Sequence, residues 1–266
     1  MKTTPWEKVK KAELKGIRGV CLDIDDTLST EGKLTSEAYE ALWRLKAAGF
    51  WVVPITGRPA GWCDHFARFW PVDAIVGENG AFTFYMEGGV RRRMDTPGSI
   101  SRVEAAERFE KLERAILSRF PHAKWASDQA YREYDLAIDF CEDVPAWPER
   151  DIDELVAICE REGAHAKISS IHVNTWFGDV NKLTGFHHWL KNAAGSGRKK
   201  SKPPKPDAWL FIGDSPNDEP MFASFANTVG VANLKKYLKR LKTPPRWITS
   251  QKSGAGFVQM ADRLLR

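Results

Sequence analysis

The sequence predicts an α/β protein: a parallel-sheet core interrupted by a smaller inserted α+β module. Three observations carry this. Apolar runs alternate with helical patterns at both ends of the chain. The terminal runs are continuously apolar, as expected of strands covered on both faces. The middle of the chain instead alternates with period two, which marks strands whose two faces meet different surroundings.

"IRGVCLDI", Ile17 to Ile24, reads as a buried strand. A helix follows, with Ser36 as N-cap and Gly49 just past its end. Its residues Ala38, Leu42, Leu45 and Ala48 recur at helical spacing. Phe50 to Thr56 is the next continuous run, and Pro59 suits the first turn of another helix. Ala74 to Ala81 supplies a third strand and its exit. In the middle, Ser101 and Glu104 form a capping box that opens a helix to about Phe120. Tyr134 to Phe140 alternates as a strand, Asp151 with Glu154 caps a second helix, and Lys167 to Phe177 alternates again. The core pattern then resumes with "AWLFIGDS", "NDEPMFASFA", "TVGVA" and "KKYLKRLK", read as strand, helix, strand and helix. The expected division is residues 1–83 and 178–266 for the core and 84–177 for the insertion.

Composition is that of an ordinary globular protein, 42% hydrophobic and 28% charged. The net charge of +5 is concentrated in Arg91–Arg93, Arg198–Pro206 and Lys235–Lys242. These runs read as solvated surface that could attract a small anion; no nucleic-acid partner is expected. Lys191 to Pro206 reads as a flexible surface loop. Four cysteines without CxxC spacing fit a reduced compartment. The N-terminal residues lack an apolar signal core, and no run approaches the roughly 20 apolar residues of a membrane span. A cytoplasmic location with no membrane partner is therefore expected.

The chemistry is announced by "CLDIDDTL", where an apolar run ends in three acids within four residues. Ligands of open α/β sheets bind at the carboxyl ends of strands. "DIDDT", "TGR" and "GDSPND" all fall at such ends. Asp23 and Asp214 could supply the one or two carboxylates that Mg²⁺ usually takes, with water and substrate phosphate completing its shell.

In this order, "DIDDT", "ITGRP", a lone lysine in "VNKLTG" and "GDSPND" resemble the four motifs of the haloacid dehalogenase superfamily of phosphohydrolases. The insertion between the second and third motifs is similar to the cap of the type-IIB branch, which includes sugar-phosphate phosphatases. The resemblance implies a Rossmann-like core and a Mg²⁺-dependent phosphatase acting on a small phosphorylated metabolite, a sugar or polyol phosphate. It makes Asp23 the nucleophile that forms an aspartyl-phosphate. Asp25 becomes the general acid and then the base, its carbonyl binding Mg²⁺; the acid role needs Asp25 in its protonated form. Thr56 and the Gly57 amide would bind a phosphate oxygen, and Lys182 would hold both Asp23 and the phosphate. Asp214 would bind Mg²⁺, with Asp218, Asn217 and Ser215 supporting it. Glycine at Gly57 and Gly213 would let backbone approach an anion.

The commonest form of the first motif has glycine where this chain has Asp26. By period two, His172, Asn174 and Trp176 share one face of the insertion's return strand, a candidate substrate-facing strip with Trp176 stacking on a sugar. Their alternative is ordinary packing. Glu78, Asn79 and Gly80 read as the hinge into the cap. Two rival functions use the same sequence: a phosphotransferase like the phosphomannomutases, and a non-catalytic protein that binds RNA or another polyanion through its basic runs.

Overall fold

Strand ends in this protein do place the motifs together, and the core sheet is the reason. The computed structural model describes residues 3–195 and 202–266. Strand β1 (Thr4–Pro5) and helix α1 (Lys11–Leu14) precede β2 (Gly19–Leu22), the first buried strand. Helix α2 (Ser36–Ala47) is capped by Thr35, one residue before the expected Ser36; the Thr35 hydroxyl accepts from Ala38 N at 3.3 Å. Gly49 closes it with φ 88°, as its place after the helix foretold. Then come β3 (Trp51–Pro54), α3 (Ala60–Phe69), β4 (Ala74–Gly77) and the hairpin β5 (Phe82–Glu87) and β6 (Val90–Asp95).

The inserted cap contains α4 (Ala106–Arg119), β7 (Lys124–Trp125), β8 (Asp135–Asp139), α5 (Glu149–Arg161), β9 (His165–Ile168) and β10 (His172–Trp176). The chain returns through α6 (Lys182–Asn192), β11 (Trp209–Gly213), α7 (Glu219–Ser224), β12 (Asn227–Gly230), β13 (Trp247–Ile248) and α8 (Ser253–Leu264).

The core sheet has six strands in the order β1-β13-β12-β11-β2-β3, every pair parallel. Its central strands β2 and β11 are apolar throughout because both faces are covered. Val20 and Leu22 of β2, with Leu210 and Ile212 of β11, pack under α2 and α8. Cys21, Trp209 and Phe211 face the opposite layer, against Phe186 and Trp189 of α6 and Phe222 of α7. Each such fully buried side chain contributes about 1.5–3 kcal/mol. The cap is an antiparallel sheet, β7-β8-β10-β9, with α4 and α5 packed on one face. Leu136, Ile138 and Val173 point into that face, while His172, Asn174 and Asp135 point the other way and are also buried.

Several elements differ from expectation. The β5–β6 hairpin pairs with β4, and Ile55 bridges to Val76 beside the core sheet. A boundary at residue 84 cuts this hairpin, so we place the start of the cap after Asp95. Lys167 to Phe177 is two antiparallel strands, β9 and β10, rather than one. Asp151 lies inside the first turn of α5, whose N-cap is Pro148. Ser101 and Glu104 do bond reciprocally, but over a turn that precedes α4. Lys235–Arg240 of "KKYLKRLK" belongs to a 3₁₀ segment, Ala232–Arg240.

Acids answer much of the basic surface. Arg91 pairs with Asp64 at 2.6 Å, Arg92 with Glu87 at 3.0 Å and Arg93 with Glu133 at 2.7 Å. Residues 196–201, which hold much of the Arg198–Pro206 run and part of the expected loop, lie outside the described residues. All four cysteines are free. No helix among the described residues is long and apolar enough to cross a membrane.

Candidate active site

Adjacent parallel strands β2 and β11 deliver Asp23 and Asp214 to one edge of the sheet, and Asp23 N still bonds Ile212 O at 3.0 Å. Lys182 is the first residue of α6. The Asn181 side chain caps that helix by accepting from Leu183 N at 2.9 Å and Thr184 N at 3.1 Å. With the helix start fixed, Lys182 Nζ donates to Asp23 Oδ1 at 2.6 Å and to Asp218 Oδ1 at 2.7 Å. The other Asp218 oxygen accepts from Asp214 N at 2.9 Å and Ser215 N at 3.3 Å. Gly213 makes this possible: a Cβ there would lie 2.1 Å from Asp218 Oδ2. Its smallness admits a carboxylate of the protein itself, rather than the bound anion expected from sequence. Ser215 Oγ donates to Asn217 Oδ1 at 2.8 Å.

Asp23, Asp214, Asp218 and Lys182 are all buried. Burial pushes Asp23 up to about 8, with Lys182 opposing and Asp218 and Asp25 adding to the rise. Burial, then Asp23 and Asp218, push Asp214 well above the usual carboxylate range. Burial works against the Lys182 charge too, but Asp218 and Asp23 more than offset it and keep the ammonium protonated.

The three acids each bring an oxygen within 4.8 Å of the others. One lysine among three carboxylates leaves a surplus of buried negative charge, and a hard divalent cation with oxygen ligands suits it. Asp218 has both oxygens engaged already, so Asp23 and Asp214 are the better ligands. Asn233 Nδ2 lies 3.3 Å from Asp214 Oδ2 and orients it.

Asp25 is gripped by Arg58, which sequence reasoning left without a role. Arg58 Nε lies 3.1 Å from each Asp25 oxygen, and Nη2 lies 2.9 Å from Oδ1. Arg58 also reaches two cap acids, Glu142 at 2.7 Å and Asp128 at 3.3 Å. Burial would raise Glu142, but His172 and Arg58 hold it down at about 2. The position of Arg58 just past a strand end, in "ITGRP", was the signal available. Arg132, likewise unforeseen, reaches from the cap to Gly57 O at 2.9 Å and pairs with Asp135 at 3.0 Å. Glu78 takes four backbone N–H groups: Ala60 at 3.2 Å, Glu133 at 3.0 Å, Tyr134 at 2.6 Å and Asp135 at 3.2 Å. It is a peg joining core to cap, and its own φ of 41° and the 54° of Asn79 shape the loop.

Thr56 Oγ1 accepts from Arg58 N at 3.0 Å, which leaves its hydroxyl proton for another acceptor. Asp26 has φ 55°, a left-handed conformation that glycine adopts freely and aspartate tolerates. That accounts for this departure from the commonest motif.

His172 and Asn174 line a small pocket of about 10 Å³ together with Asp23, Asp25, Gly57 and Asn217. Asn174 Oδ1 and both polar atoms of the Asn79 amide are buried without a hydrogen-bond partner among the described residues. Trp176 does not join them: its indole donates to Val180 O at 3.0 Å and its ring lies beside His165. Beyond Asp25 and Arg58 a wider cavity of about 420 Å³ opens between core and cap, bordered by Lys236, Glu142 and Ser170.

A parallel-sheet core with strand-end carboxylates and a lysine beneath an inserted cap defines a capped α/β fold with a buried acidic site. The model of the haloacid dehalogenase-like hydrolase family matches residues 20–114. Phosphoglycolate phosphatase 1 of Saccharolobus solfataricus is 26% identical over 254 residues, covering 94% of this chain and 96% of that protein. The C-terminal domain of Candida albicans trehalose-6-phosphate phosphatase superposes with a TM-score of 0.69 at 16% identity, covering 99% of each chain. The sucrose-phosphatase of Synechocystis gives 0.61 at 17% identity, covering 92% of this chain and 97% of that one. The chain is thus similar to haloacid dehalogenase-like hydrolases, with the family match carried by residues 20–114.

Proposed function

We propose that this chain is a Mg²⁺-dependent phosphomonoesterase that works through an aspartyl-phosphate on a small phosphorylated metabolite, a sugar or polyol phosphate. One observation carries the reading: Lys182 joins Asp23 and Asp218 in a buried cluster beside Asp214. Phosphoryl transfer is largely positioning plus charge stabilisation, and this cluster supplies both.

Lys182 fixes the Asp23 carboxylate for in-line attack on phosphorus. As the Asp23–phosphorus bond forms, the bond to the leaving oxygen breaks and that oxygen takes a proton from Asp25. Asp25 then accepts a proton from water, whose oxygen attacks phosphorus and restores Asp23. Thr56 Oγ1–H and the Gly57 amide hold a phosphoryl oxygen. When bound by Asp23, Asp214 and the Asp25 carbonyl, Mg²⁺ would neutralise the phosphate dianion. His172 and Asn174 face the leaving group, and the cap excludes bulk water.

The test is a panel of phosphorylated metabolites assayed for phosphate release with Mg²⁺. It would include hexose and polyol phosphates and 2-phosphoglycolate, the latter because of the relative's name. Asp23→Asn should abolish turnover with the fold intact. Near-native activity in that variant would remove Asp23 as nucleophile, and an isomerised sugar phosphate without phosphate release would point to a phosphotransferase.

A further inference from the structure

Arg58 belongs to the core by sequence, yet most of its partners are acids that answer to different parts of the molecule. Nε and Nη2 hold Asp25 in the core; Nη2 also holds Glu142, and Nη1 holds Asp128, both in the cap. The guanidinium is 4.6 Å from the Trp62 ring centroid, which supports one face of it. Arg58 is 5% exposed, so water does not substitute for these partners while the cap is seated. A planar fork with donors on each edge transmits orientation: acids fixed on one edge determine where the other edge points.

We propose, building on the phosphatase reading above, that Arg58 is a positioning residue through which the cap acids Glu142 and Asp128 set Asp25 against the leaving oxygen. His172 Nε2 lies 2.9 Å from Glu142 Oε2, so the same linkage extends to the strand that faces the leaving group. With the cap lifted, Arg58 loses Glu142 and Asp128 and its guanidinium is free to follow Asp25. The acid is then present but unaimed. Proton delivery to the leaving oxygen thus depends on a seated cap, whereas attack by Asp23 depends on Lys182 and Asp218, which both lie in the core.

Leaving groups separate the two. Nitrophenolate departs without a proton; an alkoxide needs one. The experiment measures kcat for p-nitrophenyl phosphate and for the best alkyl phosphate of the panel, in the native chain, Glu142→Gln, Asp128→Asn and Arg240→Met. In the two acid variants, alkyl-ester turnover should fall by about 10-fold or more, a part of the roughly 10²–10⁴-fold a general acid supplies, with nitrophenyl turnover falling far less. Arg240 pairs the core to the cap outside the site, with Glu149 at 2.5 Å and Asp153 at 2.9 Å. Its variant should keep the native ratio of the two rates.

Equal losses on both esters in Glu142→Gln and Asp128→Asn, or no loss on either, would overturn the inference while leaving the phosphatase reading intact. A native chain that turns over neither ester would remove both. Thermal unfolding of each variant identifies any that fails to fold, and the two acids provide independent readings.

Discussion

At the residue scale, Lys182 is the most exposed to test because it is so completely buried. Removing it leaves Asp23 and Asp218 without their shared cation, and breaking a buried pair in this way costs about 3–5 kcal/mol. Lys182→Met should therefore lower stability by that order in denaturant titration and reduce kcat by at least about 10²–10³-fold. Gly213→Ala tests a different point. Its Cβ would meet Asp218 Oδ2 at 2.1 Å, so the carboxylate must leave the Asp214 and Ser215 amides. Mg²⁺ affinity, read by calorimetry, should weaken by about 10–100-fold, as for other losses of support around a ligand. An unchanged affinity would show that Asp218 does not organise the ligands.

The acids also set a pH dependence. Burial raises Asp23 and Glu78 to about 8 each, so the folded chain keeps protons there that the unfolded chain releases. For a raised acid the contribution to stability is complete below the unfolded value, about pH 4, and is lost as pH climbs toward 8. Urea midpoints of the metal-free protein should accordingly fall between about pH 5 and 8. Added Mg²⁺ should raise them most at the alkaline end, where carboxylate ligands need shed no protons. A flat profile in both conditions would contradict this electrostatic account.

At the scale of elements, the readable features were those set by local chemistry. Continuous apolar strands, the glycine after α2 and the strand-end acids are decided within a few residues of sequence. Their side chains face both layers or the shared edge for reasons a short window contains. The β5–β6 hairpin was not readable as core, since strand partnership depends on which edge of β4 is free. Arg58 and Arg132 were missed, and Glu78 was read only as part of the hinge into the cap, for a related reason. Their partners lie far along the chain, and nothing in a local pattern marks an ion pair between residues 58 and 142. Trp176 shows the converse error: period two placed it on the right face, but its indole found Val180 before any ligand could.

Glu78 offers a test at this scale. Four backbone amides, from the start of α3 and from the residues that lead into β8, converge on its carboxylate. Glu78→Gln puts an N–H₂ where an acceptor is needed and leaves buried donors unmet, each worth about 1–3 kcal/mol. Hydrogen exchange should accelerate at residues 133–135 well before it does in β2 and β11. Uniform acceleration would mean that the peg holds up the whole fold and not the seating of the cap.

At the scale of the molecule, the core and cap each own an apolar interior. That of the cap is built around residues such as Phe109, Leu155 and Val173. Several of the polar contacts between them, by contrast, gather at the cleft, where Arg58 meets Asp128 and Glu142. The parallel order of the sheet brings the motifs to one edge, and this was legible from sequence because strand, helix and strand-end acid repeat in step. The cap's contribution was legible as architecture but not as chemistry. His172 and Asn174 reach the small pocket from β10, while Asp128 and Glu142 reach Arg58 from segments that carry no strand or helix signature.

The neighbours of β2 have a consequence for biosynthesis. It lies between β3 and β11, and β11 begins only at Trp209, long after β2 has been made. Until then one flank of a hydrophobic strand offers unpaired amides and carbonyls to any other chain within reach. A ribosome-bound fragment ending before β11 should be markedly prone to clump, and full-length material should acquire solubility and its reactive centre together, in one late event.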